Sequence, residues 1–470
     1  LLEGLEISVL SLEDLEEGIR IDSELYQHHF VKFSKFIRRN PVTTFSNECS
    51  VVKKGIFDIK SDVYSSSGVP FVRISNLKKM LINTDEIIFI PESENMKNMD
   101  TFLEKGDIIL SKTAYPAASI VNIDFCNTSQ DTVAIKLKKD SKLLSHFVVV
   151  YLNTHYGLNS MKKWFSGNIQ MHLNLEDCRE KIPLPIFSTE FQQKIKDIFI
   201  QSISHQETSK TLYQEAENLL LSELGIDENV FKVSKNEVVT NVKSFADFEN
   251  SWRLDAEYYQ PKYDLTDKAV QENAQYIRTI SEIAVYNARG LQPIYDDFGT
   301  LDVINSRHIL EQELDYKNFE KTNETAWETQ ERARVYKNDI LTYTTGANIG
   351  RTQVYSSSER AFASNHVNIL RIRGENPVYV AFVINSKIGR LQTEKLSAGS
   401  AQQELYPKDL NMFYIPFVKQ ETQNQICDNI KESQLLKTQS EQLLSLAKRA
   451  VELAIEEGED AAQEWIVERK

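Results

Sequence analysis

Sixteen side chains on loops beside recurring landmarks have the chemistry to hydrogen-bond nucleic acid. In the first half of the sequence they are Asn76, Lys78, Lys79, Lys112, Tyr115, Asn168, Gln170 and His172. In the second half they are Asn305, Arg307, His308, Tyr343, Asn348, Arg351, Gln402 and Gln403. An Asn or Gln amide matches the adenine edge with one donor and one acceptor, while Arg and Lys donate to guanine. The same groups also close turns and cap loops, so each has a structural use to set against a base contact. Gln170 and Gln402 form a matched pair, which fits a base contact, a shared phosphate contact or a structural role.

Covalent chemistry finds no comparable set. A Gly-x-x-x-x-Gly-Lys-[Ser/Thr] loop for nucleotide phosphates is missing, and Gly346-Ala-Asn-Ile-Gly350 lacks the lysine and reads as a turn. There is no Asn-Pro-Pro-aromatic or Asp-Pro-Pro-aromatic tetrapeptide, no Gly-x-Ser-x-Gly and no His-Glu-x-x-His. Cys49, Cys126, Cys178 and Cys427 form no Cys-x-x-Cys, and the eight histidines are scattered apart from His28-His29, so neither metal site nor disulfide framework is expected. Asp22/Glu24 and Asp255/Glu257 recur beside expected helix starts, where capping or contact with another subunit is the reading. The expectation is a chain without catalytic residues, metal or cofactor of its own.

The elements that would carry these loops come in two sets. The 470 residues hold 41% hydrophobic and 26% charged side chains, an ordinary globular balance long enough for several cores. The most apolar short run, His146 to Leu152, is far below the ~20 residues of a membrane span. The first residues are too acidic for a secretory leader, and with these cysteines a reducing cytoplasm is expected. A net charge of −14 argues against coating nucleic acid through a global positive field. Locally the sign reverses: residues 53–79 carry net +4 and residues 332–351 net +3, against −5 over 13–24 and −4 over 456–470. Counterion release depends on such local neutralisation, although a solvated surface also explains any one run.

The sequence repeats itself. Arg20-Ile-Asp-Ser-Glu-Leu-Tyr-Gln27 returns as Arg253-Leu-Asp-Ala-Glu-Tyr-Tyr-Gln260, five identities at a shift of 233. Lys105-Gly-Asp-Ile-Ile-Leu110 returns as Lys337-Asn-Asp-Ile-Leu-Thr342, and Ser166-Gly-Asn-Ile-Gln170 as Ala398-Gly-Ser-Ala-Gln402, both at 232. Ile182-Pro183 matches Ile415-Pro416 at 233, and Phe191-Gln-Gln-Lys-Ile195 matches Thr422-Gln-Asn-Gln-Ile426 at 231. Order and constant shift mean two tandem copies of a large module; a solenoid would repeat every ~20–50 residues. Short β-branched runs at 69–75, 107–111 and 132–137 return at 301–305, 339–343 and 367–372, so each copy begins as a mixed β domain.

Each copy ends in a long helix. Ile195, Ile198, Phe199, Ile203, Leu212, Ala216, Leu219, Leu220 and Leu224 fall at three-and-four spacing up to Gly225. The second series runs from Ile426 and Ile430 through Leu443, Leu444, Ala447, Val451 and Ala454 to Gly458. Each stretch of roughly 35 residues would be about 50 Å long. Two such seams predict an antiparallel coiled coil, the alternative being that each helix packs on its own β domain.

This ordered set, present twice, resembles the specificity subunit of type I restriction–modification enzymes. The likeness covers nearly the whole chain; no single motif carries it. It implies an α+β chain of two tandem mixed-β target-recognition domains, each followed by a long helix, the helices packing as an antiparallel coiled coil. The expected bounds are 1–185 and 251–417 for the domains, 186–226 and 418–457 for the helices, 227–250 for a linker and 458–470 for an acidic tail. The resemblance further implies double-stranded DNA as ligand, two methyltransferase subunits as partners, and restriction subunits for cleavage. S-adenosylmethionine, ATP and magnesium would sit on those partners. A pseudo-two-fold pair of readers suits the approximate dyad of a duplex, with half-sites about one helical turn (~34 Å) apart. The loops differ between copies, as in Lys112-Thr-Ala-Tyr-Pro116 against Thr344-Thr-Gly-Ala-Asn348, so the two half-sites should differ. A duplicated protein-interaction scaffold and the recognition part of a fused type II enzyme are the competing readings.

Overall fold

The computed structural model describes residues 7–10, 23–78, 80–167, 171–227, 240–251, 253–397 and 403–469. The chain divides into two compact units, Leu1–His205 with Gln439–Lys470, and Gln206–Thr438. The expected division at 185 and 251 therefore differs from the observed one. Each unit contains the first half of the long helix that follows its own β domain and the last half of the other long helix.

In the first unit a five-stranded sheet runs in the order Cys49–Lys54, Thr132–Leu137, Ile108–Ser111, Ala118–Ile120, Met80–Leu81. A four-stranded sheet follows the order Ile88–Ile90, Val69–Val72, Phe125–Thr128, Leu103–Glu104. Its centre, Phe71 beside Asn127, is parallel and its flanks are antiparallel, so the sheet is mixed. Ile108, Ile109, Leu110, Val133, Ala134 and Ile135 are fully buried, because both faces of the central strands are covered.

The second unit repeats this order. One sheet runs Ala284–Arg289, Val367–Ile372, Ile340–Tyr343, Thr352–Val354; the other runs Glu320–Thr322, Leu301–Ile304, Ala361–Ala363, Arg334–Val335, again with one parallel pair at its centre. The recurrent Asp-Ile element has a physical cause in both. Gly106 and Asn338 turn the chain with φ of +96° and +73°. Asp107 then accepts the N–H of Glu104, and Asp339 that of Tyr336, each at 2.8 Å. A cation from the next strand closes the corner: Lys136 on Asp107 at 3.3 Å, Arg371 on Asp339 at 2.7 Å.

The long helices span Thr189–Glu223 and Gln420–Glu457. After the first, Gly225 adopts φ +62° while Ile226 N–H bonds to Leu221 O, as expected of a C′ glycine. The glutamines that recur at their starts are buried. Gln192 donates to Phe187 O at 3.0 Å and to Lys142 O at 2.9 Å, and Gln423 donates to Val418 O at 2.8 Å. The helices run antiparallel in both units. Ser202 meets Ser440 in the first, Oγ to Oγ at 3.0 Å, and Ser209 meets Ser433 in the second at the same distance. Glu452 of the second helix accepts the N–H of His155 at 3.1 Å, where the short helix His155–Lys162 begins. In the second unit Glu217 of the first helix accepts the N–H of Lys387 at 2.9 Å, where Lys387–Ser397 begins. An acidic side chain at a helix start meets unpaired N–H groups and the positive end of the dipole.

Two expectations need correction. The acidic stretch 458–470 is a helix, Glu459–Arg469, rather than a tail. Ala462 and Ile466, four residues apart, bury themselves in the first unit's core, and Glu459 accepts from the backbone N–H of Ser188 at 2.8 Å. Asp255 does not cap with its side chain; its carboxylate takes Arg253 Nε and Nη2 at 2.7 and 2.6 Å.

Candidate nucleic-acid interface

In each unit one end of the larger sheet gathers several of the loops on which candidates lie. At that rim of the first unit the strand ending at Lys54, the turn before Thr132, the loop after Ser111 and the segment 171–173 lie side by side. Lys112 N–H bonds to Asp131 O, Leu173 N–H to Lys112 O and Ala114 N–H to Met171 O. Thr113 forms a β-bridge with His172. Tyr115, 45% exposed, donates its hydroxyl to Ile74 O at 3.3 Å and so ties the loop carrying Lys78 to the same rim. Lys78, Lys112, Tyr115 and His172 are thereby brought together, with Lys78, Tyr115 and His172 exposed and Lys112 half-buried.

The electrostatics of this rim are unbalanced. Burial, and then the nearby Lys54, push the Lys112 ammonium below the usual lysine range, with Asp131 opposing them. Neither Lys54 nor Lys112 makes an ion pair among the described residues. An anion supplied from outside would relieve that repulsion.

The second unit builds the same rim from different side chains. Thr345 bridges Glu404, and Leu405 N–H bonds to Thr344 O, as Leu173 does to Lys112. Arg289 sits at the position of Lys54. Its guanidinium reaches Leu405 O at 3.1 Å, Thr344 O at 3.5 Å and Glu404 at 3.7 Å, and lies 4.4 Å above the Tyr406 ring. Tyr343, Asn348 and Arg351 share the loop after the strand, where Tyr343 N–H bonds to Arg351 O and Arg351 N–H to Asn348 O. Gln403 is exposed beside Glu404.

Asn305 and Arg307 form a separate cluster, both bonded to Glu320, with Tyr295 donating to Asn305 Oδ1 at 3.1 Å. Two candidates prove to be internal supports. Asn76, buried, accepts from Arg73 N–H at 3.0 Å and donates to Asn83 O at 3.1 Å. His308, buried at the equivalent turn, accepts the Asn305 N–H through Nδ1 at 3.0 Å, and burial lowers its pKa. Both polar groups are occupied inside the fold and are not offered to a ligand. Lys79, Asn168, Gln170 and Gln402 lie outside the described residues.

Sequence reasoning missed Arg289 and Tyr406 as rim residues and counted Lys54 only within a basic run. Glycine marks where these strands meet the rim. A Cβ on Gly55 would come within 2.3 Å of Ser129 O, and one on Gly290 within 2.0 Å of Ala363 O. That pair, at a shift of 235, was a legible signal.

A family model described as "Type I restriction modification DNA specificity domain" matches the chain twice, over residues 48–218 and 276–444. No curated protein matches it. Among solved structures, the chain is similar to the type I restriction–modification system S subunit from M. genitalium, at 12% identity and a TM-score of 0.47, over 88% of this chain and 95% of that one. The HsdS subunit from Thermoanaerobacter tengcongensis shares 13% identity at a TM-score of 0.27, over 89% and 97%. A chain from a structure of type I R-M complex assembly and conformational transition shares 13% at 0.30, over 89% and 98%.

Proposed function

The chain belongs to the type I restriction–modification DNA specificity family, and from that premise we propose that it is the sequence-reading subunit of such a complex. Each unit reads one half of an asymmetric, bipartite target in double-stranded DNA. The long antiparallel helices set the gap between the half-sites and dock two methyltransferase subunits, with restriction subunits joining for cleavage. Covalent chemistry belongs to the partners, which would bind S-adenosylmethionine, ATP and magnesium.

The observation that carries this reading is the duplicated rim. One backbone arrangement appears twice, with Lys54, Lys112 and His172 in one copy and Arg289, Thr344 and Glu404 in the other. A scaffold binding two identical partners would have reason to keep those side chains alike. Two readers of unlike half-sites would not, because base contacts specify while the common backbone positions.

Mapping modified bases across a host genome with and without the gene tests the reading. The expected outcome is one split motif with unlike halves, methylated only when the gene is present. An assembled complex with no preference among random duplexes would refute it. Deleting four residues from the second long helix is expected to change the gap, or uncouple the seam, while the bases read stay the same.

A further inference from the structure

The first unit's rim carries an aromatic side chain that its fold leaves outside. In Ile56-Phe57-Asp58-Ile59 the two isoleucines pack into a core cluster with Val69, Phe71 and Ile90, while Phe57 stands 71% exposed. The loop is pinned on both sides of that residue. Ile56 N–H bonds to Thr128 O at 2.8 Å, Gly55 lies against the Ser129 carbonyl, and Asp58 turns the chain in the left-handed region at φ +56°. A lone exposed apolar side chain is ordinary. The company of this one is not: Lys54 Nζ lies 4.4 Å from its ring centroid, and Lys112 shares the rim.

We infer that Phe57 is a wedge that enters the base stack of the half-site read by the first unit, an inference that rests on the DNA-reading function above. Phosphates attract Lys54 and Lys112 to the duplex, and a ring on a pinned loop beside them meets the bases with little further ordering. Pyrimidine–purine steps unstack most readily and accept such a ring. Sequence preference then arises at a step where no hydrogen bond reads a base. The second unit differs here: its Phe298 is 96% exposed, but it follows Asp296 and Asp297, whose carboxylates repel phosphate. The wedge is therefore assigned to Phe57 alone.

The test uses the full chain assembled with its methyltransferase subunits, and duplexes of the mapped target with 2-aminopurine placed in turn through each half-site. Wild type is expected to raise the fluorescence several-fold at one step in the first unit's half-site. Phe57→Ala should abolish that rise and weaken binding about tenfold, in the range of aromatic–base stacking. Phe57→Trp should restore both. Because a ring displaces no counterions, the salt slope should stay unchanged in Phe57→Ala, whereas Lys54→Ala lowers it by about one. Unaltered fluorescence and affinity in Phe57→Ala, with sequence preference intact, overturn the wedge and leave the reading standing. Loss of sequence preference in wild type itself overturns both.

Discussion

The rims of the two units put a cation at the same backbone position and use it in opposite ways. In the second unit Arg289 is enclosed: Glu404 neutralises it, Tyr406 stacks on it, and the carbonyls of Thr344 and Leu405 take its N–H groups. In the first, Lys54 lies near enough to repel the Lys112 ammonium, with His172 where the second unit has Glu404. A planar fork with five donors suits the first task, and a mobile ammonium suits the second. One rim is stable before any ligand arrives; the other is relieved by an anion.

That contrast can be broken most sharply at Arg289. Arg289→Ala leaves the Leu405 carbonyl without its donor and Glu404 without its cation, and is expected to destabilise the second unit by about 2 kcal/mol. Thermal unfolding should register that loss, and methylation mapping should show relaxed reading of only one half-site. Lys112→Ala should do the reverse. Melting should hold within about 0.5 kcal/mol, while DNA affinity falls roughly tenfold at low salt and the salt slope drops by about one. Equal loss of stability in the two variants would erase the distinction. His172→Glu gives the first rim the second rim's carboxylate beside its lysines; a fall in affinity of about threefold, strongest at low salt, is the expected titration result.

The smallest effect concerns pH. Burial would raise the Glu452 carboxyl, but the His155 side chain and N–H, with Arg449, hold it below the usual range. A depressed carboxylate contributes stability above its unfolded pKa and loses it as pH falls through the folded value. Acid titration of Glu452→Gln should lack that increment of unfolding, and an unchanged profile would remove Glu452 from the account.

Much of the architecture could be read from the chain because period and repetition record it directly. Three-and-four spacing revealed both long helices, and the constant shift aligned the copies. Sheet order could not be read, since the parallel pairing of Phe71 with Asn127 joins segments far apart. The antiparallel seam was anticipated from Leu and Ile, yet buried hydrogen bonds across it come from Ser202, Ser209, Ser433 and Ser440, invisible to an apolar pattern. Asn76 and His308 were chosen for side-chain chemistry, and burial shows that chemistry turned inward. Composition names what a residue can bond to; only the fold decides which partner it meets.

The four seam serines have a bearing on how such a chain can change. They stand seven residues apart on each helix, and each pair lies within one unit. All four are buried, so an alanine at any of them leaves its mate's hydroxyl without that bond, and a larger side chain would part the helices there. Natural variants are thus expected to keep small hydroxyl-bearing side chains at these four positions while the apolar residues around them exchange.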